Sequence, residues 1–125
     1  MKKREFLAKL DSLKLPTYHY VIIAGGAMLM HGLREETADI DLAVSEQLAD
    51  ELGIYRKKPN EKGTHVIDKD VEVIIGMNRV EYEEFEGYLV QTLPSVLRDK
   101  QRLNRPKDQK DVETIIDYFT HQSRS

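Results

Sequence analysis

The sequence predicts an α/β (α+β) domain, a short mixed β-sheet covered by helices. Three observations predict it. Apolar residues recur at helical spacing near both ends of the chain. Short apolar runs and one alternating run, Asp39 to Val44, lie between them. Gly, Pro, Asn and Asp turn signals separate the segments. At 125 residues, with no repeat and no low-complexity linker, the chain is expected to be one domain over 1–125.

Residues 1–19 form an N-terminal helix and lead-in. Phe6, Leu7, Leu10 and Leu13 set a helix over about 3–14, ended by Pro16. Residues 20–92 form the sheet core. Tyr20 to Ala24 reads as a buried strand broken by Gly25-Gly26, and Ala27 to Met30 as a short helix stopped near Gly32. From Asp39 to Val44, Asp39 and Asp41 share one face, and Ile40, Leu42 and Val44 the other. Ser45 is a plausible N-cap for a helix to about Leu52, stopped by Gly53. Ile54–Lys57 and Thr64–Ile67 read as strands around a Pro59-Asn60…Gly63 turn. Asp68-Lys69-Asp70 is a second turn, and Val71–Ile75 a further strand. The acidic run Glu81 to Glu86 reads as a solvated helical turn or loop, and Gly87–Gln91 as another strand. Residues 93–120 hold C-terminal helices, one from Thr92-Leu93-Pro94 to about Leu103, the other from about Lys107 to Phe119. The tail, 121–125, is expected to fray.

Composition excludes several classes. A net charge of −3 argues against a constitutive, nonspecific nucleic-acid binder. With no cysteine there is no disulfide framework, thiol nucleophile or thiolate metal site. No stretch approaches the roughly 20 apolar residues of a membrane span, so no membrane partner is expected and a cytoplasmic location is.

The chemistry concentrates between Gly25 and Leu42. A strand that ends in Gly-Gly and opens a helix exposes backbone N–H groups, a natural place for phosphate. Aspartates at i and i+2 on a strand point the same way, which is unfavourable unless a cation sits between them. Hard oxygen donors favour Mg²⁺ or Mn²⁺. Alone, Gly-Gly is usually a turn and Asp-x-Asp a solvated strand face. Together they suggest metal-assisted phosphoryl or nucleotidyl transfer.

Gly25-Gly26, twelve intervening residues and then Asp39-Ile40-Asp41 resembles the signature of the DNA-polymerase-beta-like nucleotidyltransferase superfamily. His31-Gly32-Leu33-Arg34…Thr37 is similar to its minimal bacterial branch, which includes abortive-infection and toxin–antitoxin proteins. Lys100, then Arg105-Pro106-Lys107-Asp108-Gln109-Lys110-Asp111, resembles that branch's Lys…Arg-x-Lys-Asp-x-x-Asp element. The likeness covers roughly residues 20 to 118. It implies the nucleotidyltransferase fold, with helices packed mainly on one sheet face. It implies that Asp39, Asp41 and a third carboxylate bind two Mg²⁺ ions, or Mn²⁺. Glu72 is the best match for the third position. Alternation also puts it on the face opposite Val71, Val73 and Ile75, with Asp70 as runner-up.

Gly25 and Gly26 would then cradle the triphosphate of an NTP, with Arg34, Lys100, Arg105 and Lys107 as its basic contacts. Asp108 and Asp111 would position the basic groups. The plainer alternative is a capped helix start, with Asp108 as an N-cap or first-turn residue and ion pairs around it. Thr37 is expected to cap or brace the loop before Asp39. The chain departs from the family pattern at Ala27, where many members carry Ser, and at Glu72, where Asp is usual. The resemblance implies transfer of NMP to an acceptor hydroxyl on a protein, an RNA end or a small molecule. A second class is a fold-retaining module acting through a partner protein, such as a toxin–antitoxin component. A third is a phosphohydrolase using the same site. The short chain leaves no room for an acceptor-gripping helical domain, so the acceptor site is expected to be shallow or completed by a homodimer or partner protein.

Overall fold

The computed structural model describes residues 1–122. Its elements are α1 (Lys3–Ser12), β1 (Tyr20–Ile22), α2 (Ala24–Met30), β2 (Ile40–Val44), α3 (Glu46–Glu51), β3 (His65–Asp68), β4 (Val71–Ile75), β5 (Tyr82–Phe85), β6 (Tyr88–Gln91), α4 (Leu93–Leu103) and α5 (Gln109–Gln122). Of the tail expected to fray, His121 and Gln122 close α5, and residues 123–125 lie outside the described residues.

The strands form one six-stranded mixed sheet in the order β3-β4-β2-β1-β6-β5. β2 pairs parallel with β4 and antiparallel with β1, and β1 pairs parallel with β6. The outer strands β3 and β5 pair antiparallel with their neighbours. The two sheet faces differ in chemistry because strand side chains alternate. Ile22, Ile40, Leu42, Val44, Val71 and Val73 point to one face. There they meet Phe6 and Leu10 of α1, Met28 of α2, Leu48 of α3, Val96 of α4 and Ile115 of α5 in a single buried cluster. Each of these side chains contributes on the order of 1.5–3 kcal/mol by leaving water. The other face buries only Val21, Ala43 and Leu89, flanked by Ile23, Ile74, Met77 and Val80, and no α-helix joins it among the described residues. All five helices therefore cover one face and leave the other open. No helix among the described residues is long and apolar enough to cross a membrane.

Four sequence expectations change. The strand at Ile54–Lys57 does not form. Gly53 takes φ +74 and its N–H bonds the Asp50 carbonyl, while the Ile54 N–H bonds Ala49 at 3.0 Å. Ile54 is thus the buried residue that closes a Schellman ending on α3. The acidic run is no loop: residues 82–85 form β5, joined to β6 by Glu86-Gly87, both with positive φ (53 and 86). Positive φ at both central residues matches the right-handed twist of a hairpin. Gly25-Gly26 does not break a strand, because α2 already begins at Ala24 and β1 ends at Ile22. Asp108 is a first-turn residue rather than a helix cap. It lies in a 3-10 turn, Pro106–Asp108, ahead of α5, and its carboxylate is engaged by Arg105 and Lys100. Ser45 and Thr92 do cap their helices, accepting from Leu48 N–H (3.0 Å) and Ser95 N–H (3.4 Å).

Candidate active site

Parallel pairing sets Asp41 opposite Glu72 and Ile40 opposite Val71. Partners across a register share a face, so the alternation that sends Ile40, Leu42, Val71 and Val73 under the helices leaves Asp41 and Glu72 adjacent on the open face. Asp39 stands just before β2, and the Thr37 hydroxyl braces it by donating to the Asp39 carbonyl at 3.4 Å. Burial pushes the Asp41 carboxyl up to about 6, with the charges of Glu72 and Asp39 adding to the effect and Lys62 and Lys100 opposing it. Asp70 serves differently. It takes φ +61 in the β3–β4 turn, its carbonyl accepts the Ile40 N–H at 2.7 Å, and its side chain is exposed.

The three carboxylates line an open cleft of about 910 Å³. Its opposite wall is a ladder of charges. Arg34 Nη2 pairs with Asp111 at 2.9 Å, Lys100 Nζ bridges Asp111 (3.1 Å) and Asp108 (3.3 Å), and Arg105 grips Asp108 with two bonds, at 2.6 and 3.1 Å. Asp108 is 2% exposed, and its carboxyl is held below the usual carboxylate range by the Arg105 hydrogen bonds first and by Lys100 second. Three cations against two carboxylates leave this wall with one excess positive charge. Lys107 and Lys62 also line the cleft; neither forms an ion pair within 4.0 Å among the described residues, though the Lys62 charge acts on Asp41.

The two glycines part company. Gly25 lines the cleft, and a Cβ there would sit 2.3 Å from Arg34 Nη1 and 2.9 Å from Thr37 Oγ1. Gly26 faces the core instead, where a Cβ would meet the Phe6 ring at 2.7 Å and Ile22 at 2.9 Å. Ala27 is also fully buried in the core cluster, so a hydroxyl at that position would not reach the cleft. The two glycines should respond differently to alanine. Gly26→Ala overpacks α2 against α1 and is expected to lose about 1–3 kcal/mol of stability. Gly25→Ala is expected to keep more stability but to displace Arg34 from Asp111. Chemical denaturation of both variants checks this; a Gly26→Ala protein as stable as wild type contradicts the packing argument.

Asp39, Asp41, Glu72, Gly25, Arg34, Lys100, Arg105 and Lys107 thus meet around one cleft, whereas Gly26 does not reach it. As they stand, no three acidic or histidine side chains among the described residues are drawn together tightly enough to hold a metal ion, and the Glu72 carboxylate accepts the Thr64 hydroxyl at 3.0 Å. The donor chemistry still suits a hard cation: three carboxylates line one space, and burial first, with repulsion from Glu72 and Asp39 second, already raises the Asp41 carboxyl. Sequence reasoning missed Lys62 and Thr64, two loop residues without periodicity, and Gln91, a polar residue that no motif marks. Comparison of the chain with protein-family models, curated proteins and solved structures gave no significant match.

Proposed function

We propose that this chain is a metal-dependent nucleotidyltransferase that moves an NMP from an NTP to an acceptor hydroxyl and releases pyrophosphate. The observation that carries the reading is one cleft with carboxylates from β2 and β4 on one side and the Arg34–Asp111–Lys100–Asp108–Arg105 ladder on the other. An NTP carries charge that suits both. Asp39, Asp41 and Glu72 would hold divalent cations, which when bound would neutralise charge on the attacking and leaving oxygens. Glu72, at the outer strand pair, takes the proton of the acceptor hydroxyl. The hydroxyl oxygen bonds the α-phosphorus, the bond from that phosphorus to the pyrophosphate oxygen breaks, and the departing phosphates lie against Lys107 and the exposed side of Arg105. Gly25 leaves the space beside Arg34 free of a side chain, so the phosphates approach Arg34 closely.

The test is incubation of the protein with each α-labelled NTP, Mg²⁺ and a cell lysate. The expected result is label on an acceptor with matching pyrophosphate, lost on chelation of the cation. Hydrolysed nucleotide with no labelled acceptor would favour a phosphohydrolase. The Thr64 bond that engages Glu72 keeps a second reading open, a module that acts through a partner protein. Calorimetry without any Mg²⁺-dependent NTP binding would select it.

A further inference from the structure

Gln91, the last residue of β6, is 1% exposed and is wired to two helices, α2 and α4. Its Oε1 accepts the Ala24 N–H at 3.0 Å. Its Nε2 donates to Ser95 Oγ and to Asp99 Oδ2, each at 2.9 Å. Its main-chain carbonyl lies 2.9 Å from His31 Nε2. Ala24 opens α2 and His31 caps it, so both ends of the helix that carries Gly25 hang on one residue. Ser95 and Asp99 lie on α4, and Asp99 directly precedes Lys100 of the basic wall. Ala24 also takes φ +57, a left-handed conformation that a Cβ disfavours and that persists only where the surroundings hold it.

We infer that Gln91 is a positioning residue that ties the strained Ala24–Gly25 turn to α4 and so holds it in place beside the Arg34–Lys100 wall of the cleft, which sets the grip on the phosphates. The inference rests on the nucleotidyltransferase reading. An apolar side chain of similar length would fill the same space. It would leave the Ala24 N–H and the Ser95 hydroxyl without their partner, and the left-handed turn without its restraint. Glycine adopts positive φ without strain, so a glycine at position 24 removes the need for restraint.

The experiment compares wild type, Gln91→Met and the double variant Gln91→Met/Ala24→Gly. It reads Mg·ATP and Mg·GTP affinity by calorimetry, melting temperature, and the Gly25 amide resonance in nucleotide-free protein. Gln91→Met is expected to weaken nucleotide binding about tenfold, the scale of one lost hydrogen bond, and to move the Gly25 amide. The double variant is expected to recover most of the affinity while its melting temperature stays below wild type, because the Ser95 hydroxyl and Asp99 Oδ2 still lack the bonds that Gln91 Nε2 gives them. A Gln91→Met affinity within about twofold of wild type overturns the inference, as does a loss that Ala24→Gly does not recover. If wild type itself binds no nucleotide, the functional reading fails; the Gly25 amide still decides the positioning claim, and an unmoved resonance in Gln91→Met sinks it. Should Gln91→Met not fold, Gln91→Glu keeps the acceptor for Ala24 and loses both donors. It is expected to weaken binding with the Gly25 amide in place, and a moved amide with unchanged affinity would overturn the inference.

Discussion

Replacing Asp41 with asparagine is expected to abolish cation-dependent nucleotide transfer and, in the same molecule, to raise stability above neutral pH. The first effect follows from losing an anionic oxygen between Asp39 and Glu72. The second follows from the free energy that the Asp41 charge costs the cation-free fold. An ordinary aspartate titrates at 3.8, and this one is pushed up to about 6. Between those values the folded chain binds more protons than the unfolded chain, so stability falls as pH rises. The contribution is fully present below about 3.8 and is lost as pH passes through about 6. Two pH units correspond to about 3 kcal/mol, or about 2 kcal/mol after allowing for solvent around a half-buried carboxylate. Thermal unfolding of both proteins in chelator across that window should show a widening advantage for Asp41→Asn as pH rises. Added Mg²⁺ should stabilise wild type and not the variant. A constant difference across the window, or transfer at the wild-type rate, would remove Asp41 from the role given to it.

Asp108→Asn is expected to cost about 3 kcal/mol at neutral pH, the range for removing one partner of a buried ion pair. That corresponds to about 10 °C in Tm for a chain of this size. Asp108 accepts two bonds from Arg105 and one from Lys100, itself 8% exposed. Without that charge, Lys100 keeps only Asp111 and Arg105 loses its anchor. The pH dependence runs opposite to that of Asp41. Because the folded-state carboxyl titrates below the usual range, its contribution is present above pH 3.8 and is lost as pH falls through the folded value. The difference between Asp108→Asn and wild type should therefore narrow in acid. Urea denaturation measures it, and a variant within about 0.5 kcal/mol of wild type at neutral pH would mean that the ladder is a surface feature of little weight.

What could be read from residues alone was whatever strict periodicity or local turn chemistry carries. The alternation Asp39-Ile40-Asp41-Leu42 and Val71-Glu72-Val73 places the acidic residues on one face without any knowledge of which strands pair, and the structure sets Asp41 against Glu72 in register. Ser45 was legible as a cap, and Thr92-Leu93-Pro94 as a helix start, because such signals are decided within three residues. Long-range partners were not. Arg34 and Asp111 lie 77 positions apart, and nothing local couples them. The four glutamates around Tyr82 and Phe85 hid an edge strand, because pairing with β6 outweighs their poor strand propensity. Gly26 looked like part of a phosphate cradle, yet its need for no side chain comes from Phe6, twenty positions earlier and on the other side of the helix. Lys62 lines the cleft from the connection between α3 and β3, where no periodicity marks it.

The parallel register of β2 with β4 also acts as an error check on assembly. Because side chains alternate, a slip of one residue would turn Asp41 or Glu72 toward Phe6, Leu42 and Val73 and bring an aliphatic side chain out to water. An unpaired carboxylate in that interior costs several kcal/mol, comparable to the whole margin by which a domain of this size stays folded. Misregistered molecules are therefore eliminated by unfolding rather than tolerated as inactive ones, and every chain that survives carries its two carboxylates on the same side of the sheet.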